Sequence, residues 1–189
     1  MNTGTLERRT QAGFSVVELL ATVAITGIVV AIAIFNIGAM LPGLKSDGAM
    51  RLVMSQLNTA RETSITQRRN FQVKFINENQ IQIVRQEIPG GTTTLSTVYL
   101  EGGMTYRLDP YVPDTPEGFG KSSAVDFGTA TAIIFSPDGT LVNQSGIPSN
   151  GTIFLSLPNE PRSSRAVTIL GATGRVRGYR WSGNSWERG

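Results

Sequence analysis

The stretch from Gly13 to Leu41 reads GFSVVELLATVAITGIVVAIAIFNIGAML, and it determines how the whole chain is organised. As a helix rising about 1.5 Å per residue, it is long enough to cross the roughly 30 Å hydrocarbon layer of a membrane. Glu18 is the one ionisable residue between Arg9 and Lys45. A carboxylate at the centre of a membrane helix costs about 2.5–3.5 kcal/mol, so this glutamate needs a functional explanation.

Two basic residues, Arg8 and Arg9, stand directly before the apolar stretch. Basic residues that precede a first hydrophobic segment tend to remain in the cytoplasm. The sequence therefore predicts a single-pass protein in which the residues after about 41 lie on the opposite side of the membrane.

Three interpretations of residues 14–41 compete. A cleavable secretory signal needs a small-x-small site after a short apolar core, and Ala31-Ile32-Ala33 supplies one. The apolar run nevertheless continues to Leu41, where a polar cleavage region is expected. A plain membrane anchor fits the length. Neither interpretation explains Glu18, whereas the third does.

The start of the stretch resembles the class III signal of type IV pilins and type II secretion pseudopilins, in the residues Gly13-Phe14-Ser15-Val16-Val17-Glu18-Leu19-Leu20. The resemblance implies that a prepilin peptidase removes a leader of residues 1–13 by cutting after Gly13, and methylates the new N-terminal residue, Phe14. It also implies an assembly role for Glu18. Phe35 departs from the family pattern, because major pilins often carry a proline at the matching position.

A physical role for Glu18 follows from that cleavage. The new amine of Phe14 is a cation in an apolar environment, and a carboxylate on a neighbouring helix can neutralise it when the helices pack with an axial stagger. The small residues of the stretch allow helices to approach closely, and they include Ala21, Ala24, Gly27 and Ala31.

Residues 42–69 predict an amphipathic half-helix outside the membrane. Pro42 and Gly43 predict a kink or break at its start. The apolar positions then recur at helical spacing, at Met50, Val53, Met54, Leu57, Ala60, Ser64 and Ile65. Arg61 falls on this apolar face and Leu52 on the polar one, both against the pattern.

From Phe71 the hydrophobic period changes to two, which predicts a β-hairpin through Phe75, Ile81 and Ile83. Further short strands are predicted near residues 95–100, 104–108, 124–127, 132–135, 140–142, 152–157, 166–170 and 175–181, with an irregular loop over 109–123. The predicted fold class is α+β. A long N-terminal helix, membrane-spanning over 14–41 and amphipathic over 42–69, packs on an antiparallel sheet or small β-sandwich formed by residues 70–189.

Three further segments resemble the GspH/FimT family of minor pseudopilins and minor type IV pilins, namely residues 60–65, residues 134–139 and Ile169 with the Arg175-Val176-Arg177 that follows it. The resemblance implies a pilin-like subunit near the tip of a type II secretion pseudopilus or a type IV pilus. Its implied partners are other pilin or pseudopilin subunits, the prepilin peptidase and the bacterial inner membrane, with the C-terminal domain in the periplasm. An unrelated single-pass anchored β-domain is the competing protein class.

DNA is a further partner that the resemblance implies, because some FimT-like members bind it through a Gly-Arg-x-Arg motif that Gly174-Arg175-Val176-Arg177 matches. Alternate residues of a strand share a face, so Arg175, Arg177 and Tyr179 would lie together. Arginines suit phosphates and aromatic rings can stack on bases, which adds Arg180, Trp181 and Trp186. Alternatively, the arginines are solvated and protect an edge strand from aggregation.

The composition argues against an enzyme. The chain has no cysteine and no histidine, so it lacks thiolate metal sites and the commonest general base near neutral pH. We predict no catalytic residue, no cofactor, no metal site and no small-molecule substrate. The net charge is +3, from 17 basic and 14 acidic residues. The excess of positive charge is concentrated after residue 161, where there is one acidic residue, Glu187. The basic residues there are Arg162, Arg165, Arg175, Arg177, Arg180 and Arg188.

Overall fold

The structure is a computed structural model that describes residues 14–128, 130 and 132–189, without the side chains of residues 35–37 and 39. The predicted leader, including Gly13, lies outside the described residues. The chain divides into two units, Met1–Met40 and Leu41–Gly189. Helix α1 spans Val16–Gln67 and therefore contributes residues to both.

In the first unit, α1 exposes every side chain that the structure describes. The segment Val16–Ile34 has a mean hydropathy of 2.5, and by length and composition it is a candidate membrane span. A helix that is apolar on all sides needs lipid or other protein around it.

Pro42 lies inside α1, so the predicted break of the helix at this residue is wrong, while the alternative of a kink stays a prediction. A proline within a helix removes a backbone hydrogen bond and costs about 3 kcal/mol. The turn that follows Pro42 is held in helical form by its packing, since Ser46, Ala49 and Met50 are buried. The Ser46 hydroxyl also donates a hydrogen bond to the carbonyl oxygen of Pro42, at 2.7 Å.

In the second unit, one face of α1 is buried and the other is exposed, as the periodicity predicts. Met50, Val53, Leu57 and Ala60 are fully enclosed. Arg61 lies beside this apolar face because its Nε donates a hydrogen bond to the carbonyl oxygen of Gly139, at 3.1 Å. The charged residue that breaks the pattern therefore fastens the helix to a turn.

Two antiparallel sheets complete the second unit. The described residues form the strands β1 (Phe71–Ile76), β2 (Gln80–Gln86), β3 (Thr92–Tyr99), β4 (Thr105–Tyr106), β5 (Val125–Asp126), β6 (Ile133–Phe135), β7 (Leu141–Val142), β8 (Gly151–Leu157), β9 (Glu160–Leu170), β10 (Arg175–Trp181) and β11 (Trp186–Arg188). The first sheet has the order β3-β2-β1-β6-β7. The second has the order β11-β10-β9-β8-β4, with β5 also paired to β8.

One hydrophobic core joins the buried face of α1 to both sheets. The first sheet contributes residues such as Phe71 and Phe135, and the second contributes Ile153, Leu155 and Ile169. This arrangement confirms the α+β class, the antiparallel pairing and the hairpin that follows the helix. Strand β11 was not predicted, because its three residues, two of them charged, have no hydrophobic alternation.

An ion-pair cluster fastens α1 to the second sheet. The Asp47 carboxylate on α1 lies 2.7 Å from Nε of Arg165 on β9 and 3.0 Å from Nε of Arg180 on β10. The Arg165 side chain is only 6% exposed, and its Nη1 donates hydrogen bonds to the carbonyl oxygens of Arg162 and Ser164. The guanidinium of Arg165 is thus buried but paired.

Replacing Asp47 with alanine is expected to lower the free energy of unfolding by about 3 kcal/mol, because it leaves the buried Arg165 without its counter-charge. Urea denaturation followed by tryptophan fluorescence measures the change. Glu62→Ala, at an exposed position of the same helix, is the matched control and should change stability by less than about 0.5 kcal/mol. Equal losses of unfolding free energy in the two variants would contradict a stabilising role for the Asp47 ion pairs.

Candidate functional site

The predicted processing residue Phe14 and the predicted assembly residue Glu18 lie just before and within the first turn of α1. Phe14 is 85% exposed, and Glu18 lies in the first helical turn. Ser15 caps this turn, since its hydroxyl accepts a hydrogen bond from the Val17 amide at 3.3 Å. A carboxylate near a helix N-terminus is favoured by the helix dipole, which helps the turn to form around Glu18.

Glu18 differs from the other polar side chains of this segment. The hydroxyls of Thr22 and Thr26 donate to backbone carbonyl oxygens of the preceding turn, at 2.9 and 2.7 Å. Glu18 is exposed and forms no ion pair with any residue that the structure describes. Its charge is therefore available to a group outside the described chain.

The Gly-Arg-x-Arg motif begins in the turn between β9 and β10. Gly174 has a φ of +62°, which favours glycine. A Cβ at this position would overlap the carbonyl oxygen of Gly139 and would lie 2.7 Å from Nε of Arg61. The glycine of the motif is thus required by backbone conformation and by close packing.

The two arginines of the motif converge on one carboxylate. Oε1 of Glu117 lies 3.0 Å from Nη2 of Arg175 and 2.8 Å from Nη1 of Arg177. The Glu117 side chain is 10% exposed, against 43% for Arg175 and 29% for Arg177. The structure brings the pair together as predicted from the strand period, but it also partly neutralises their charge.

The other residues predicted for DNA binding have partners of their own. Arg180 pairs with Asp47. Tyr179 is 6% exposed and packs with Phe154, which leaves little of its ring for a base. Trp186 donates a hydrogen bond from Nε1 to the carbonyl oxygen of Pro113, at 2.9 Å. The DNA-binding role of these side chains stays a prediction.

The alternative role of the arginines, protection of an edge strand, fits only part of β10. This strand pairs with β9 along its length, and with β11 over Tyr179–Trp181. Arg175 and Arg177 precede the residues of β10 that pair with β11. Glu117 and Asp47 each form ion pairs with two arginines. The sequence analysis did not identify these two carboxylates, because each is far along the chain from its partners.

The environment of Glu117 lowers the pKa of its carboxyl group. Partial burial would raise this pKa, but the neighbouring Thr168 hydroxyl and the guanidinium groups of Arg177 and Arg175 outweigh it. Because the pKa is lower in the folded state, ionised Glu117 stabilises the fold above its unfolded pKa. This contribution is lost as the pH falls through the folded pKa.

Glu117→Gln is expected to lower the free energy of unfolding by about 1 kcal/mol at pH 7, since the pairs are partly exposed to water. The difference from the unsubstituted protein should shrink as the pH falls below about 4. Urea titrations between pH 3 and pH 7 measure it. The exposed Glu160→Gln is the control, and a pH-independent difference would contradict the ion-pair assignment.

Two family models match the sequence of this chain. The family model described as type II transport protein GspH matches residues 49–174. The prokaryotic N-terminal methylation motif matches residues 8–39, which include Gly13, Phe14 and Glu18. No curated protein matches the chain.

Two solved structures are similar to this chain. The first is the type IV minor pilin FimU of Pseudomonas aeruginosa PAO1, with a TM-score of 0.50 and 15% identity, covering 75% of this chain and 91% of FimU. The second is the minor pseudopilin EpsH of the type 2 secretion system of Vibrio cholerae, with a TM-score of 0.47 and 14% identity, covering 71% of this chain and 94% of EpsH. The FimU likeness confirms the pilin-like fold. Since the GspH model covers more than half of the residues, this chain belongs to the family of type II transport protein GspH.

Proposed function

We propose that this protein is a minor pilin or pseudopilin subunit, cleaved after Gly13 and N-methylated on Phe14 by a prepilin peptidase. The processed chain assembles through α1 near the tip of a type II secretion pseudopilus or a type IV pilus. The observation that carries the proposal is the N-terminal methylation motif over residues 8–39, in a chain whose exposed apolar helix carries Glu18. The subunit acts by assembly and not by catalysis.

The electrostatics of the helix support assembly. Glu18 is exposed and is the one ionisable residue of the segment Val16–Ile34, so a subunit alone in the membrane bears the cost of placing a carboxylate in hydrocarbon. Cleavage supplies a cationic amine at Phe14. Pairing of that amine with Glu18 of an adjacent subunit satisfies both charges, and side-by-side packing covers the apolar surface.

The helix also anchors the subunit before assembly. Val16–Ile34 has the length and composition of a membrane span. With Arg8 and Arg9 on the cytoplasmic side, the second unit would lie in the periplasm of the bacterial cell. The inner membrane, the prepilin peptidase and the other filament subunits are thus the proposed partners.

Glu18→Ala is expected to leave membrane insertion and cleavage intact but to reduce assembly into the filament fraction at least tenfold, because the Phe14 amine loses its counter-charge. Quantitative immunoblots of sheared filaments and membranes measure assembly, and mass spectrometry detects N-methylated Phe14. The exposed Glu62→Ala is the control. Assembly of Glu18→Ala at the level of this control would contradict the role of Glu18.

Processing is tested separately with Gly13→Ala, which should leave full-length, unmethylated protein in the membrane. Mass spectrometry of the intact chain distinguishes this form from a chain that begins at Phe14. Normal cleavage of the variant would overturn the proposed signal. N-methylated Phe14 in the unsubstituted protein would exclude an unrelated anchored β-domain.

DNA uptake through Gly174-Arg175-Val176-Arg177 is the alternative function, favoured by the convergence of Arg175 and Arg177 at one point. Phosphate would have to displace Glu117 from both guanidinium groups, so the ion pairs oppose DNA binding. This requirement distinguishes the alternative from binding by unpaired surface arginines.

For this alternative, Arg175→Ala combined with Arg177→Ala should abolish salt-dependent DNA binding, whereas Glu117→Gln should strengthen it severalfold. Fluorescence anisotropy with a labelled duplex at several salt concentrations measures both. Arg188→Ala is the control for a general loss of positive charge. If the unsubstituted protein does not bind the duplex at low ionic strength, the hypothesis of DNA uptake is wrong.

A further inference from the structure

The outer edge of β3 is open to a partner. This strand terminates the first sheet, and no strand among the described residues pairs with its outer side. The Leu100 amide donates to the carbonyl oxygen of Asn79 at 2.7 Å, which fixes the backbone of Leu100 toward β2. Because these groups alternate in direction along a strand, the amides and carbonyls of Thr97 and Tyr99 point outward.

Strand β3 has few of the features that usually protect an edge. It has eight residues, TTTLSTVY, with no charge and no proline. The strands at the other ends of the two sheets, β7, β4 and β11, have two or three residues each, and β11 carries Glu187 and Arg188. Natural sheets usually shorten, charge or cover their edges because exposed backbone groups recruit other strands. The one protective feature of β3 is a register shift opposite Ile83 and Val84.

A groove of about 390 Å³ lies beside the end of β3, within the second unit. It is lined by residues of α1, of β3 and of the loop after it, namely Lys45, Gly48, Ala49, Leu52, Val98, Tyr99, Glu101 and Gly102. Ala49, Leu52 and Val98 contribute apolar side chains, while Lys45 and Glu101 contribute one charge of each sign. The apolar part of the groove therefore suits an apolar side chain.

We propose that β3 binds an extended, uncharged segment of a different protein, which adds as a strand to its outer edge. Cross-strand neighbours project their side chains to the same face of a sheet. Val98 contributes to the groove on the α1 side, so the partner residue opposite Val98 projects into the groove. Backbone hydrogen bonds supply affinity, and the groove selects the side chain.

A second copy of this chain fits the site less well. Antiparallel pairing over the full length of β3 would bring Thr92 and Thr93 of the other copy, with Gly91, to the groove. Hydroxylated or absent side chains do not fill an apolar groove. The occupant is thus a different strand that carries an apolar residue at this position.

The test places the photo-crosslinking amino acid p-benzoylphenylalanine at Tyr99 of the full-length protein in the cells that produce it. Tyr99 is 57% exposed, so the ring replaces an exposed ring. Mass spectrometry then maps the residues that are joined. We expect attachment to one extended, uncharged segment of another protein, and we expect none at Tyr111, the exposed control position outside the edge.

A pair of substitutions at Thr97 separates strand addition from simple proximity. Thr97→Pro removes an outward amide without removing a bond to β2, and should reduce cross-linking from Tyr99 at least tenfold. Thr97→Val keeps the amide and should leave the yield within twofold. If Thr97→Pro lowers the melting temperature by more than a few degrees, Thr97→Lys replaces it, since a charge also blocks edge pairing.

Equal yields from the proline and valine variants would overturn the proposal, and so would attachment to β3 of a second copy or the absence of any cross-link from Tyr99. The proposal does not rest on Glu18. Failure of Glu18→Ala to affect assembly leaves the cross-linking result unchanged, so the two hypotheses fail separately.

Discussion

One helix has to satisfy two different surroundings, and this constraint organises the protein. In the first unit, α1 is apolar on every described side and carries a single carboxylate. In the second unit only one face is apolar, and burial of Met50, Val53 and Leu57 against two sheets completes the core. The change from one pattern to the other occurs around Pro42 without an end to the helix.

The positive charge that the composition places after residue 161 is largely paired in the structure. Six arginines follow residue 161, and among the described residues four of them pair with Asp47 or Glu117. Each carboxylate holds two guanidinium groups and joins separate segments of the fold. The arginines of the motif therefore have a structural role in this chain whether or not phosphate competes for them.

The features that could be predicted from the sequence are those encoded by neighbouring residues. The membrane-length stretch, the amphipathic turns after residue 49 and the hairpin of β1 and β2 each follow from a local hydrophobic period. The Glu117 and Asp47 clusters join residues at least 58 positions apart, and no local pattern indicates such pairs. The continuation of α1 past Pro42 likewise depends on tertiary packing, and the burial of Tyr179 depends on Phe154 in another strand.

The Asp47 cluster has a consequence for how the chain folds as it is made. Asp47 lies early in the second unit, yet its partner Arg165 follows it by 118 residues, and its partner Arg180 lies still further along the chain. Contacts of such high sequence separation slow folding, because a long loop must close before they form. The Asp47 cluster is therefore completed only after β9 and β10 have been synthesised, so α1 cannot be fastened to the second sheet before both strands are available.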